Sequence, residues 1–135
     1  MSQPESLKVV QNAYANFKRG DIPALLNMMT SDVEWYLPGS PEVVPFAGKR
    51  SGREQVGQFF SELNELQETE EFEPREFIAQ DDKVVALGNY RWRIRSTGRT
   101  YESEFAHVFT LRDGKIAKFH EYYDTGVVRD AYRAG

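Results

Sequence analysis

The run TYESEFAHVFTLRDGKIAKFHEYYD, Thr100 to Asp124, decides how the chain folds. Two stretches rich in aromatic and β-branched residues flank Asp113-Gly114, the dipeptide most favoured in tight hairpins, so they read as antiparallel strands. Side chains alternate between the two faces of a strand. On the first strand Tyr101, Ser103, Phe105, His107, Phe109 and Leu111 share one face, and the aromatic set marks it as the interior. On the second, Phe119, Glu121 and Tyr123 oppose His120, Tyr122 and Asp124. Both sets mix aromatic with polar groups, and the pattern alone leaves the choice open. If Phe119 and Tyr123 point inward, a loop of about three residues puts Glu121 opposite His107 or one diagonal step away. A histidine and a carboxylate then meet on an aromatic wall.

The flanking sequence supplies helices first and strands afterwards. Leu7, Val10, Tyr14 and Phe17 recur at helical spacing over residues 5–19, and Gly20 ends that helix. Asp21 reads as the N-cap of a short second helix with Pro23 in its first turn. Val33 to Leu37 is a short strand stopped by Pro38-Gly39-Ser40-Pro41, and the apolar loop through Val44, Pro45 and Phe46 is of the kind that covers something. Ser51 and Glu54 form a capping box for a third helix striped by Val56, Phe59, Phe60, Leu63 and Leu66. The acidic run Glu65 to Glu73 reads as a solvated turn. Strands follow at Phe77–Gln80, Val84–Arg95, Thr100–Leu111 and Lys115–Asp124. Cross-strand pairing of Arg91, Arg93 and Arg95 with Glu102 and Glu104 explains the arginines without a ligand.

The 135 residues suit one domain with a single core, residues 1–135. At 40% hydrophobic and 28% charged residues, the composition is that of a soluble globular protein rather than a disordered one. No apolar run reaches the ~20 residues of a membrane span, and no signal peptide is visible, so the expectation is a cytoplasmic protein without a membrane partner. The absence of cysteine excludes disulfides and thiolate chemistry. A net charge of −4 argues against nucleic acid as a partner. Two histidines on strands of opposite parity supply no metal-ligand cluster.

The expected architecture is α+β, one curved, mostly antiparallel mixed sheet packed on three helices, with a conical pocket. This order of elements resembles the nuclear-transport-factor-2-like superfamily, a cystatin-like α+β roll, in the branch of SnoaL-like polyketide cyclases and ketosteroid isomerase-like proteins. Matching stretches are Gly20-Asp21, Ser31-Asp32-Val33-Glu34-Trp35, Pro45-Phe46-Ala47-Gly48 before Gly52, Asp113-Gly114-Lys115-Ile116, and Phe119 to Asp124. They cover almost the whole chain.

The resemblance implies a cofactor-independent proton transfer, and it also bears on individual positions. Measured against the ketosteroid isomerases, the tyrosine of the oxyanion hole falls at Ala13, beside Tyr14, the base at Trp35 and the acid at His107. Two of those three roles are altered, which disfavours steroid isomerisation by that route. Measured against limonene epoxide hydrolases, the Arg-x-Asp pair falls at Gly88 and Tyr90 and the last-strand acid at Glu121, which disfavours epoxide hydrolysis. Both comparisons put His107 and Glu121 inside the cavity, with His120 and Asp124 outside.

The candidate catalytic residues are therefore His107 as proton carrier, Glu121 as its orienting partner and Tyr14 as a hydroxyl donor, with Tyr36 or Tyr90 as other donors to an oxyanion. Trp35, Tyr36, Phe46, Tyr90, Trp92, Phe105, Phe109, Phe119 and Tyr123 are the candidate substrate-binding wall. Such a wall suits a small apolar or polycyclic carbonyl compound, with no cofactor and no metal. The competing reading is a non-catalytic binding or dimerisation module, and the resemblance implies a homodimer.

Overall fold

The computed structural model describes residues 2–133. Helix α1 (Gln3–Lys18) is capped by Ser2, whose hydroxyl accepts from the Glu5 backbone N–H. Asp21 caps α2 (Ile22–Asn27) by accepting from the Ala24 N–H. Strands β1 (Met29–Leu37) and β2 (Gly48–Ser51) follow, then α3 (Gly52–Leu66), β3 (Gln67–Gln80), β4 (Lys83–Ile94), β5 (Thr100–Arg112), β6 (Lys115–Tyr123) and α4 (Thr125–Arg133).

The six strands form one sheet in the order β2-β1-β6-β5-β4-β3. Only β1 and β6 run parallel; every other neighbouring pair is antiparallel. The sheet is curved and open at its edges. Its concave face packs against the helices around a core that includes Val10, Val33, Trp35, Val56, Phe59 and Ile116. The expected α+β class and the mixed sheet are present.

One irregularity positions the site. Asp113 and Gly114 both have positive φ, +52° and +77°, the combination of a two-residue hairpin turn, and Arg112 pairs with Lys115. Continued without interruption, that register puts His107 opposite His120. Instead, Leu111 pairs with Ile116 and Thr110 with Lys118, so Ala117 is an extra residue in β6. A bulge of this kind inverts which side chains face the core. Beyond it His107 stands directly opposite Glu121, and Phe109 opposite Phe119.

Four sequence expectations are corrected. The acidic run is not a turn: Glu65 lies at the end of α3, and from Gln67 onward the run is the first half of β3, because its carboxylates find cross-strand partners. Glu68 pairs with Arg93 and with Arg95, while Arg91 gathers Glu70, Glu71 and Glu102 at 3.1 to 3.3 Å. Glu104 takes no part, since it stands opposite Asn89. Such half-exposed pairs contribute at most about 1 kcal/mol each, so they set register more than stability. The Ser51 side chain makes no cap bond; its backbone N–H donates to Gln55 Oε1 at 2.8 Å, one residue beyond Glu54. Residues 48–51 are a strand rather than loop. Finally, a fourth helix closes the chain, with Asp124 Oδ1 accepting from the Val127 N–H at its start.

At Gly88, β3 and β4 approach too closely to admit a side chain. A Cβ there would lie 2.1 Å from the Glu73 carbonyl oxygen and 2.8 Å from the Phe105 ring. Gly88→Ala should therefore force β3 off β4 and cost about 3 kcal/mol or more, read as a lowered urea midpoint; an unchanged midpoint contradicts this packing.

Candidate functional site

The concave side of the sheet and the facing helices enclose a cavity of about 70 Å³. His107 enters it from β5 and Glu121 from β6, 4% and 8% exposed respectively. His107 Nε2 lies 2.8 Å from Glu121 Oε1, and Tyr14 of α1 brings its hydroxyl to 2.7 Å from His107 Nδ1. Tyr90 of β4 donates to Glu121 Oε2 at 3.0 Å. Four side chains from four elements thus form one chain of hydrogen bonds.

The donors and acceptors assign the protons. A carboxylate only accepts, so in the neutral imidazole Nε2 carries the hydrogen and Nδ1 accepts from the Tyr14 O–H. Burial, reinforced by the negative charge of Glu121, holds the ionisation of Tyr14 and of Tyr90 far above the ordinary phenol range. Both therefore remain O–H donors. The imidazole is packed between rings: Phe105 stacks on it at 4.1 Å and Phe119 meets it edge-on at 4.8 Å. Such surroundings exclude water and strengthen each hydrogen bond.

Of the candidate wall, Trp35, Phe46, Tyr90, Trp92, Phe109, Phe119 and Tyr123 line the cavity together with the hydrogen-bonded chain. Tyr36 does not. It lies on the convex face, 37% exposed and edge-on to His120, because residues of β1 alternate and Trp35 takes the inward place. It is thereby removed as an oxyanion donor. Phe105 is buried but stands behind the imidazole, shielded where Phe72 of β3 stacks over it at 5.3 Å. Tyr123 spends its hydroxyl on the Pro38 carbonyl. Tyr101 donates to Gln67 Oε1. At the position of the ketosteroid isomerase tyrosine, Ala13 and Tyr14 both line the cavity, and the hydroxyl is Tyr14's.

The sequence reading missed several wall residues. Phe59 and Phe60 read as ordinary helix core, and Phe17 as part of an amphipathic stripe. Gln67 and Phe72 lay in the run taken for a turn. Gln67 is 1% exposed, and its Oε1 accepts from Tyr101 at 3.0 Å and from Tyr132 of α4 at 2.6 Å. This is a second polar point in the wall. Trp35 Nε1 is buried with no partner among the described residues. Among those residues no three histidine, aspartate or glutamate side chains cluster as a metal-ligand set, and no helix is long and apolar enough to cross a membrane.

Fold and site together define a small α+β protein with an aromatic cavity on the concave face of its sheet. Residues 10–119 match the SnoaL-like domain, and the chain belongs to that family. A crystal structure of an NTF2-like protein from Burkholderia xenovorans is 32% identical and superposes with a TM-score of 0.89, covering 98% of each chain. The crystal structure of TerC co-crystallised with polyporic acid is 28% identical, with a TM-score of 0.82 over 96% of this chain and 99% of that one. An uncharacterised protein of Mycobacterium tuberculosis is 22% identical over 99% of this chain and all of its own length.

Proposed function

We propose that the protein binds a small apolar carbonyl compound in this cavity and shuttles a proton between two of its atoms, without a cofactor. The observation that carries the reading is the buried Tyr14–His107–Glu121 chain. Both imidazole nitrogens are already bonded, so the hydroxyl of Tyr14 is the group that meets the substrate. A proton leaving the substrate reaches the Tyr14 oxygen as Tyr14 passes its own to His107 Nδ1. The carboxylate of Glu121 stabilises the imidazolium, and Tyr90 holds that carboxylate in place. Running the relay backwards onto a different atom completes an isomerisation. A phenolate never accumulates, so the suppressed ionisation of Tyr14 is no obstacle.

Exchange of α-hydrogens of 2-tetralone in D2O, followed by NMR, tests the relay. His107→Gln and Tyr14→Phe should each slow exchange by about 10²- to 10⁴-fold; each also leaves a buried polar atom unpaired and lowers the melting temperature, so exchange is read well below it, with ligand binding retained. Exchange that persists in His107→Gln would overturn the assignment. One observation favours a second reading, a binding protein without catalysis: the same saturation of both His107 nitrogens. That reading expects saturable binding and no exchange in the unaltered protein. Polyporic acid is the first ligand to titrate, on the strength of the TerC complex.

The convex face supports association into a homodimer. Ile78, Val85, Val108, His120 and Tyr36 stand in one row across five strands. Beside them Tyr122 is 52% exposed, and Ile78 itself 55%. Apolar rows of that length are normally covered. Light scattering should return twice the monomer mass, and Tyr122→Arg should halve it; a monomer at micromolar concentration overturns the pairing.

A further inference from the structure

The cavity is too small for the ligand proposed above, and its neighbour resolves the difficulty. An engineered protein cavity that accepts benzene measures about 150 Å³, roughly twice the 70 Å³ here. A groove of about 560 Å³ lies immediately outside, between the end of α1, α3 and the start of β3. Cavity and groove share walls: Phe17, Phe60, Leu63, Gln67, Phe72 and Trp92 belong to both. Cavity and groove are thus separated by no more than these shared residues.

Four of those side chains form an aromatic cluster. Phe17 lies 5.1 Å from Phe72, 6.0 Å from Phe60 and 6.5 Å from Trp92, and Phe72 lies 6.5 Å from Trp92. Phe60 and Trp92 are buried, whereas Phe17 and Phe72 are only partly buried. Phe72 also touches the reactive end, 5.9 Å from the Tyr14 ring and 6.2 Å from that of His107. Displacing these two partly buried rings would join the cavity to a groove of about 560 Å³, within the roughly 300–1,000 Å³ of ordinary ligand sites.

We propose that cavity and groove are one binding site, occupied by an elongated carbonyl compound. Its ring bears on Tyr14, and its tail passes the Phe17–Phe72 pair into the groove. This rests on the proton-transfer reading and names the shape of its substrate. The tail is uncharged. The groove carries Lys18 and Arg95 against Glu68, Glu70 and Glu71, and those glutamates are held by Arg91, Arg93 and Arg95. An apolar tail meets the aromatic floor, while ether or hydroxyl groups suit the polar rim.

The test compares 2-tetralone with 6-octyloxy-2-tetralone by quenching of tryptophan fluorescence. The octyloxy compound should bind at least about tenfold more tightly, from the apolar area the tail removes from water. Asn64 lines the groove and not the cavity, so Asn64→Trp should abolish that advantage while lowering 2-tetralone affinity far less than that of the octyloxy compound. Ser61→Trp, on the same rim, serves the same purpose if the first variant melts early. Equal affinity for the two probes, or an advantage that survives both variants, overturns the elongated site and leaves the proton-transfer reading standing. Failure of the unaltered protein to bind either probe overturns both.

Discussion

The 2.8 Å contact between His107 Nε2 and Glu121 Oε1 is the interaction on which the rest of this structure turns. A buried imidazole beside a buried carboxylate is tolerable only when the remaining polar atoms find partners. Here they do: Tyr14 takes the far nitrogen and Tyr90 the second carboxylate oxygen. Those partners come from the first helix and the fourth strand, so the polar chain ties α1 to the sheet. It exists at all because β6 holds one residue more than β5 needs. Without the bulge at Ala117 the hairpin register would turn Glu121 to the convex face and bring His120 in. A buried glutamate in an aromatic setting is thus a consequence of backbone geometry twelve atoms away along the strand, and not of local propensity.

Much of the fold was legible because its signals are local. Asp21 and Gly20 punctuate the helical hairpin, Asp113-Gly114 announces the long hairpin, and the shift from helical to alternating periodicity orders helices before strands. The site was only half legible. Alternation on β5 put His107 inside, but β6 was ambiguous because a bulge breaks a period of two. Its trace was present: Ile116 and Phe119 are both apolar and inward, three residues apart. The acidic run misled because the partners of Glu68, Glu70 and Glu71 lie twenty or more residues away, so only pairing with β4 makes a strand of it. Likewise α4 has a readable start in Asp124 and an apolar spacing in Val127, Val128, Ala131 and Tyr132. Tyr36 was misplaced by one step of alternation, and Phe105 by a neighbour that folds over it.

The aromatic wall has two effects at once. It dries the polar chain, which strengthens each hydrogen bond and keeps Tyr14 and Tyr90 protonated. It also closes the cavity on itself, since packed rings leave little free space. Rigid walls would make the site inert. Phe17 and Phe72, the partly buried rings, stand between the Tyr14–His107 pair and the outer groove. The sheet supplies His107, Glu121 and Tyr90, while helix α1 contributes the Tyr14 hydroxyl and, one turn later, the Phe17 ring.

The claim underlying this account is that Tyr14 donates to His107 and His107 donates to Glu121. Nitrogen-15 NMR of the imidazole rings in the resting protein tests it directly, because the two ring nitrogens of a neutral histidine have well-separated shifts according to which carries hydrogen. With only two histidines in the chain, a His120→Asn variant assigns the signals. The account expects a bare, hydrogen-bonded Nδ1 and a protonated Nε2 coupled to its hydrogen. A neutral ring protonated on Nδ1 instead would point the relay the wrong way and contradict it.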